Sequence, residues 1–178
     1  MFGKNLPKDW LLRTGLLGSL IVRAILWFGI AALVLGLGYI ALGDPAGFAD
    51  LDAELAREGV AMSGKPALLI IFTFVLVIII LFERLIQQVM QIIHSVDEGD
   101  PFVPANAERL DRIGWLLLAT QLLAFIGTSI NAVEALASEW NFGEQFSFEG
   151  LLSVVLVFIL ARIFRHGTQM RDDLEGTV

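Results

Sequence analysis

The sequence predicts an all-α fold: an integral membrane bundle of four transmembrane helices with cytoplasmic helical extensions. Three observations carry that expectation. First, 56% of the 178 residues are hydrophobic and only 17% are charged, whereas soluble domains run at about 45–50% and 25%. Second, four apolar segments approach the roughly 20 residues that a bilayer-spanning helix needs. Third, the basic residues fall between those segments in a strongly one-sided way, as the topology of a multi-pass protein requires. A mean hydropathy of +0.74 excludes a disordered chain, which is polar. The absence of cysteine excludes a disulfide scaffold, a redox CxxC motif and a thiolate metal site. The whole chain, 1–178, reads as a single membrane domain.

Taken in order, residues 6–22 read as an interfacial helix, with Leu6, Trp10, Leu11 and Leu17 on one side and Lys8 and Arg13 elsewhere. The first span covers 23–43 and is uncharged from Ala24 to Gly43. It is longer than the h-region of a signal peptide, about 7–15 residues, and so reads as a signal anchor. An outer loop, 44–66, is rich in Asp, Ala and Gly, with a short helix expected near Leu51–Glu58 and no calcium-loop order among its acids. The second span, 67–84, opens with ALLIIFTFVLVIIILF. It offers none of the polar face that a core helix of a soluble protein shows.

The helical period then continues past the span to residue 96, with Leu85, Val89, Ile92 and Val96 on one face. A cytoplasmic turn at 97–104 follows, where Gly99 can adopt a left-handed cap and Pro101 stops the helix. Pro104 suits the first turn of the next helix. The third span, 105–138, begins with Glu108, Arg109, Asp111 and Arg112 and is uncharged from Ile113 to Val133. A second outer loop covers 139–147, the fourth span 148–166, and a polar C-terminal tail 167–178. Trp10 and Trp115 mark the inner boundary and Trp140 the outer one, where indoles anchor.

With both termini in the cytoplasm, ten Lys and Arg lie inside and two, Arg57 and Lys65, lie outside. Acids divide ten inside and nine outside, so the inner side sums to zero and the outer side carries the whole net charge of −7. The acidic balance thus follows from topology rather than from a cationic ligand. The expected location is a membrane crossed several times, with both termini cytoplasmic, and the first partner is the lipid bilayer.

Three groups of residues stand out as candidate sites. The Leu85, Val89, Ile92, Val96 stripe, on a helical hairpin of residues 84–112, is a candidate partner-binding face, because lipid no longer covers it outside the bilayer. The competing reading is that it packs on the chain's own tail. Arg23, Glu83 and Arg162 fall at similar inner depth and form a candidate charge cluster; a salt bridge at the end of the bundle, or snorkelling, is the plainer reading. Gly29, Gly36 and Gly43 recur every seven residues and gather on one stripe, which suits close packing within the bundle or a homo-oligomer contact. On the third span Thr120, Thr128 and Asn131 approximate one polar face, suited to interhelical hydrogen bonds or, alternatively, to a translocation path.

The stretch HSVDEGDPFVPANAERLDRIGWLLL, residues 94–118, resembles the pattern of domain-of-unknown-function family 2975. There a helix ends in a G-x-PF turn, followed by an Asn and then RL-x-x-I-x-W/L. The terminus LARIFRHGTQMRDDLEGTV resembles the same family's A-x-x-F-x-x-G, acidic stretch and final T-V. Two positions depart from the pattern: Val103 stands where a Thr is common, and Arg162 where an acid is common. The resemblance implies a small four-helix bacterial inner-membrane protein with no assigned catalytic residues, working beside a small helix-turn-helix regulator.

The sequence carries no metal spacing around His94 or His166, no nucleophile elbow and no phosphate-binding glycine loop. The expectation is therefore no catalytic, cofactor-binding or metal-binding residues, no enzyme activity, no cofactor and no direct nucleic-acid binding. The expected function is a regulatory or scaffold protein that holds a cytoplasmic DNA-binding regulator. A small transporter or channel component using the polar face of the third span is the alternative.

Overall fold

A computed structural model of the chain describes residues 10–128, 130 and 147–175. All regular structure among them is helical: α1 (Trp10–Leu42), a 3-10 turn (Pro45–Phe48), α2 (Ala49–Arg57), α3 (Gly64–Asp97), α4 (Pro104–Thr128) and α5 (Phe148–Glu175). Three of these helices are long and apolar enough to cross a membrane: Thr14–Leu42 within α1, the whole of α3, and Pro104–Gly127 within α4. α5, the expected fourth span, carries Glu149, Arg162 and Arg165 and is not among those three.

α1 is one unbroken helix through both the expected interfacial segment and the first span. At 1.5 Å per residue its 33 residues, like the 34 of α3, extend about 50 Å. Both exceed a hydrocarbon core of about 30 Å. α3 runs without interruption past Arg84 to Asp97. The outer part of the third span, with Asn131, and the second outer loop up to 146, with Trp140, lie outside the described residues, as do residues 1–9 and 176–178.

The long helices pack in chain order: α1 along α3, α3 along α4, α4 along α5. α1 and α5 make no comparably extensive contact among the described residues, so the arrangement is an open row rather than a closed four-helix ring. Neighbours run antiparallel. Down the α1–α3 seam, Gly15 meets Ile93, Arg23 meets Glu83, Gly29 meets Ile79 and Gly36 meets Phe72.

The two described connections end in the same device. Gly99 has φ +91°. Its N–H donates to Val96 O (3.1 Å), and Asp100 N–H reaches back to Ser95 O (3.2 Å). Gly59, φ +76°, ends α2 in the same way, with Val60 N–H donating to Leu55 O at 2.8 Å. Both are Schellman caps, whose left-handed residue carries no steric cost as glycine. α4 then starts at Pro104.

On the opposite side of the molecule, α2 closes the α1–α3 connection. Leu55, fully buried, packs with Ala67 under Leu51, Val60 and Met62. The N-cap residue of α3, Ser63, makes no side-chain cap bond. Asp52 of α2 supplies it instead, its Oδ1 accepting from Gly64 N–H at 2.5 Å. Lys65 Nζ donates to Gly43 O at 2.8 Å, satisfying a carbonyl just past the end of α1.

Candidate functional site

The charged end of the row gathers the N-terminal part of α1, the C-terminal part of α3, the α3–α4 turn and the C-terminal part of α5. Two of the three expected charges meet there. Arg23 Nη2 and Nε donate to Glu83 Oε1 at 2.8 and 3.1 Å, and Arg23 Nη1 lies 3.7 Å from Met90 Sδ. Glu83 is 6% exposed, so its charge depends on this partner. Arg162 does not join them. It is exposed on α5, about four helical turns from the start of that helix, and has no ion-pair partner among the described residues. The expected cluster is therefore a pair, because α5 packs on α4 and does not reach α1.

The Leu85, Val89, Ile92 stripe is not a free face. These three side chains are half-buried against a cluster of Leu110, Ile113 and Ala161, together with Leu117, Val157 and Phe164. The hairpin folds α4 and α5 onto the very face that helical periodicity exposes in isolation. Val96 alone of the four remains 36% exposed. The glycine stripe is likewise occupied within the chain. A Cβ at Gly29 would lie 3.7 Å from Ile79, one at Gly36 2.7 Å from the Phe72 ring, and one at Gly43 3.5 Å from Phe48. At Gly29 and Gly36 the stripe lets α1 approach α3, and at Gly43 it accommodates Phe48.

The residues that sequence reasoning missed form the most ordered part of this end. Asn106 on α4 is fully buried. Its Nδ2 donates to Ser95 Oγ (2.6 Å) and Pro101 O (2.9 Å), while its Oδ1 accepts from Arg109 Nη1 (2.7 Å). Ser95 Oγ in turn donates to Ile92 O at 2.7 Å. Arg109 Nε and Nη1 reach Gln91 Oε1 and O at 3.2 and 3.3 Å. One amide thus ties the end of α3, the turn and the start of α4 together. Charge assistance from Arg109 strengthens the arrangement.

A second set of contacts fastens α5 to the same turn. The Phe102 and Phe164 rings lie 5.3 Å apart, tilted by 35°. Gly167 leaves room for Phe102, whose ring would stand 2.9 Å from a Cβ there. Thr168 Oγ1 sits 3.0 Å from Phe102 O and 2.9 Å from Phe164 O. Two ion pairs, Arg171 with Asp100 and Arg165 with Asp111, close the flank. The only sequence signal for these residues was the spacing of G-x-PF, Asn and A-x-x-F-x-x-G. In three dimensions, that spacing is one continuous clasp.

Chemically this end can grip and present. Among the described residues no group of three or more His, Asp and Glu side chains is placed to hold a metal ion. The polar face of α4 is partly spent on packing. Thr120 Oγ1 donates to Leu116 O at 2.9 Å, and Gln121 is so close to Gly150 that any β-carbon there would collide with its amide. Gln121 Oε1 and Gln88 Oε1 are buried and find no hydrogen-bond partner among the described residues. The side chain of Thr128 and all of Asn131 lie outside the described residues.

Comparison with known proteins gives one match. The family model described as "Protein of unknown function (DUF2975)" covers residues 47–178, which contain α2 to α5 and both halves of the clasp. No curated protein and no solved structure matches the chain. With the match spanning well over half of its length, the chain belongs to the DUF2975 family.

Proposed function

We propose that the chain is a multi-pass protein of a bacterial cytoplasmic membrane, with four spans and both termini inside. In this reading it acts without catalysis, as a scaffold or regulatory protein that holds a cytoplasmic partner such as a helix-turn-helix transcriptional regulator. The observation that carries the reading is the clasp itself. α3 is about 20 Å longer than the hydrocarbon core, and the overshoot ends in a turn held by Asn106 and fastened to α5. A polar, braced end of that kind is a surface for presentation. The identity of the partner rests on the family resemblance.

Because Leu85, Val89 and Ile92 pack inside the chain, the contact surface is the outer rim of the α3 end: Val96 with the exposed His94 and Glu98. The test is a two-hybrid assay of the full chain against the helix-turn-helix protein encoded nearest to its gene. Val96→Glu should reduce the signal at least tenfold while the protein still accumulates in the membrane. No signal with the unaltered chain, or an unchanged one with Val96→Glu, refutes the proposal.

Orientation is tested separately by thiol labelling, for which the native chain offers no background. Ser63 and His94 are both exposed and serve as single-cysteine sites, whereas Ser95 is buried in the Asn106 network. In intact spheroplasts an impermeant maleimide should label Ser63→Cys and spare His94→Cys. The reverse pattern places the termini outside.

A further inference from the structure

Every α5 arginine but one is engaged within the chain. Arg165 pairs with Asp111 and Arg171 with Asp100, while Arg162 finds no acid among the described residues. Arg162 also stands on a particular stripe. Val155, Ile159, Arg162, His166 and Gln169 follow one another at alternating spacings of four and three, which keeps them on one helix face. All five are exposed. The stripe is apolar at its start and basic at its end.

The basic part borders an open cavity whose lining residues, Ile159, Arg162, Ile163, Arg165, His166 and Gln169, all lie on α5. A ligand complementary to it has an anionic head for Arg162 and His166 and an apolar tail for Ile159 and Val155.

We propose that this face of α5 holds one anionic phospholipid, its phosphate against Arg162 and His166 and an acyl chain along Ile159 and Val155. The inference rests on the membrane reading above, in which the start of α5 faces lipid and its end reaches the inner headgroup level. A purely apolar ligand leaves Arg162 unmatched. A soluble anion leaves the adjoining isoleucines uncovered. A diacyl phosphatidylglycerol satisfies both, and basic recesses at the inner surface are recurrent sites for such headgroups.

Native mass spectrometry of the detergent-solubilised full chain tests this, with phosphatidylglycerol and phosphatidylcholine of identical acyl chains as probes. The expected result is one retained phosphatidylglycerol with at least fivefold preference over phosphatidylcholine, since one cation near a lipid headgroup is worth about that factor. Arg162→Gln with His166→Gln should abolish the preference, and Arg162→Lys should keep most of it. Arg84→Gln, which removes an exposed arginine on α3 outside the cavity, should leave it intact. Equal retention of the two lipids overturns the proposal. So does a loss with Arg84→Gln as large as with Arg162→Gln, or displacement of the lipid by millimolar inorganic phosphate. Alkaline extraction of native membranes is run in parallel. A chain stripped by alkali refutes the membrane reading, while one that stays embedded without lipid preference refutes this inference alone.

Discussion

The α1–α3 seam and the α3–α4–α5 corner are built from similar helices, yet they hold together by different means. α1 touches the rest of the molecule along one side. Glycines at 15, 29 and 36 let it lie close to α3, and Arg23 with Glu83 supplies a part-buried ion pair across that seam. Its remaining surface, including Ile25, Phe28, Leu35 and Tyr39, is exposed and apolar. At the corner, by contrast, apolar packing around Leu110, Ile113 and Ala161 is backed by the Asn106 amide, the Thr168 hydroxyl and two ion pairs. Lipid tails are as apolar as leucine, so helix association in a bilayer draws on close packing and polar contacts rather than on the hydrophobic effect. The seam draws mainly on the first. The corner uses both throughout, and it lies wholly within the residues that the family model matches.

That contrast predicts unequal responses to mutation. The largest effect belongs to Val89→Glu, which places a charge against Leu110 and Ile113. Its expected cost is on the order of 4 kcal/mol, seen as loss of cooperative unfolding in detergent. A Val89→Glu protein that unfolds like the parent would show that the corner is not a core. Next comes Arg23→Leu, which strands the Glu83 carboxylate. A loss of about 3 kcal/mol is expected, and adding Glu83→Leu should restore most of it, because an apolar pair needs no compensation. If the double variant is no better than the single one, Arg23 works by packing and not by charge.

Asn106→Ala should cost about 2 kcal/mol, since Ser95, Pro101 and Arg109 each lose a partner in a buried place. Denaturant titration of the solubilised protein would read this, together with faster proteolysis at the 98–103 turn. An unaltered turn would mean that the Schellman cap at Gly99 suffices by itself. The smallest effects separate the two seams directly. Gly114→Ala brings a methyl to 2.8 Å of the Phe158 ring, and Gly36→Ala to 2.7 Å of Phe72. Gly114 is buried, with Phe158 wedged edge-on to Trp115 at 5.6 Å, so its change should cost about 1–2 kcal/mol. Phe72 is only partly buried and its ring can swing away, so Gly36→Ala should cost less than about 1 kcal/mol. Equal losses would erase the distinction drawn here.

Much of the site was legible only as a pattern of letters. The helical period that marked Leu85, Val89, Ile92 and Val96 correctly described one face of α3, but a period cannot name the surface that covers a face. Arg23 and Glu83 were matched by depth, which the antiparallel α1–α3 pairing makes a sound guide. Arg162 was matched by the same depth and stands apart, because depth says nothing of lateral order in an open row. Asn106 and Thr168 looked like ordinary polar residues near helix ends, where such side chains usually meet water.

The sequence by itself determined the helical class, the three long apolar helices among the four spans it predicts, and the place where α3 must stop. Composition and period act along the chain, and a left-handed glycine followed by proline ends a helix whatever surrounds it. The tertiary structure decided everything that joins residues far apart in the chain. It gave α3 an N-terminal cap from Asp52 rather than from Ser63 beside it, turned the glycine stripe inward, and locked Phe102 to Phe164 and Gly167. A buried amide or a glycine notch acquires its partner only when another helix arrives, and no local rule of spacing contains that arrival.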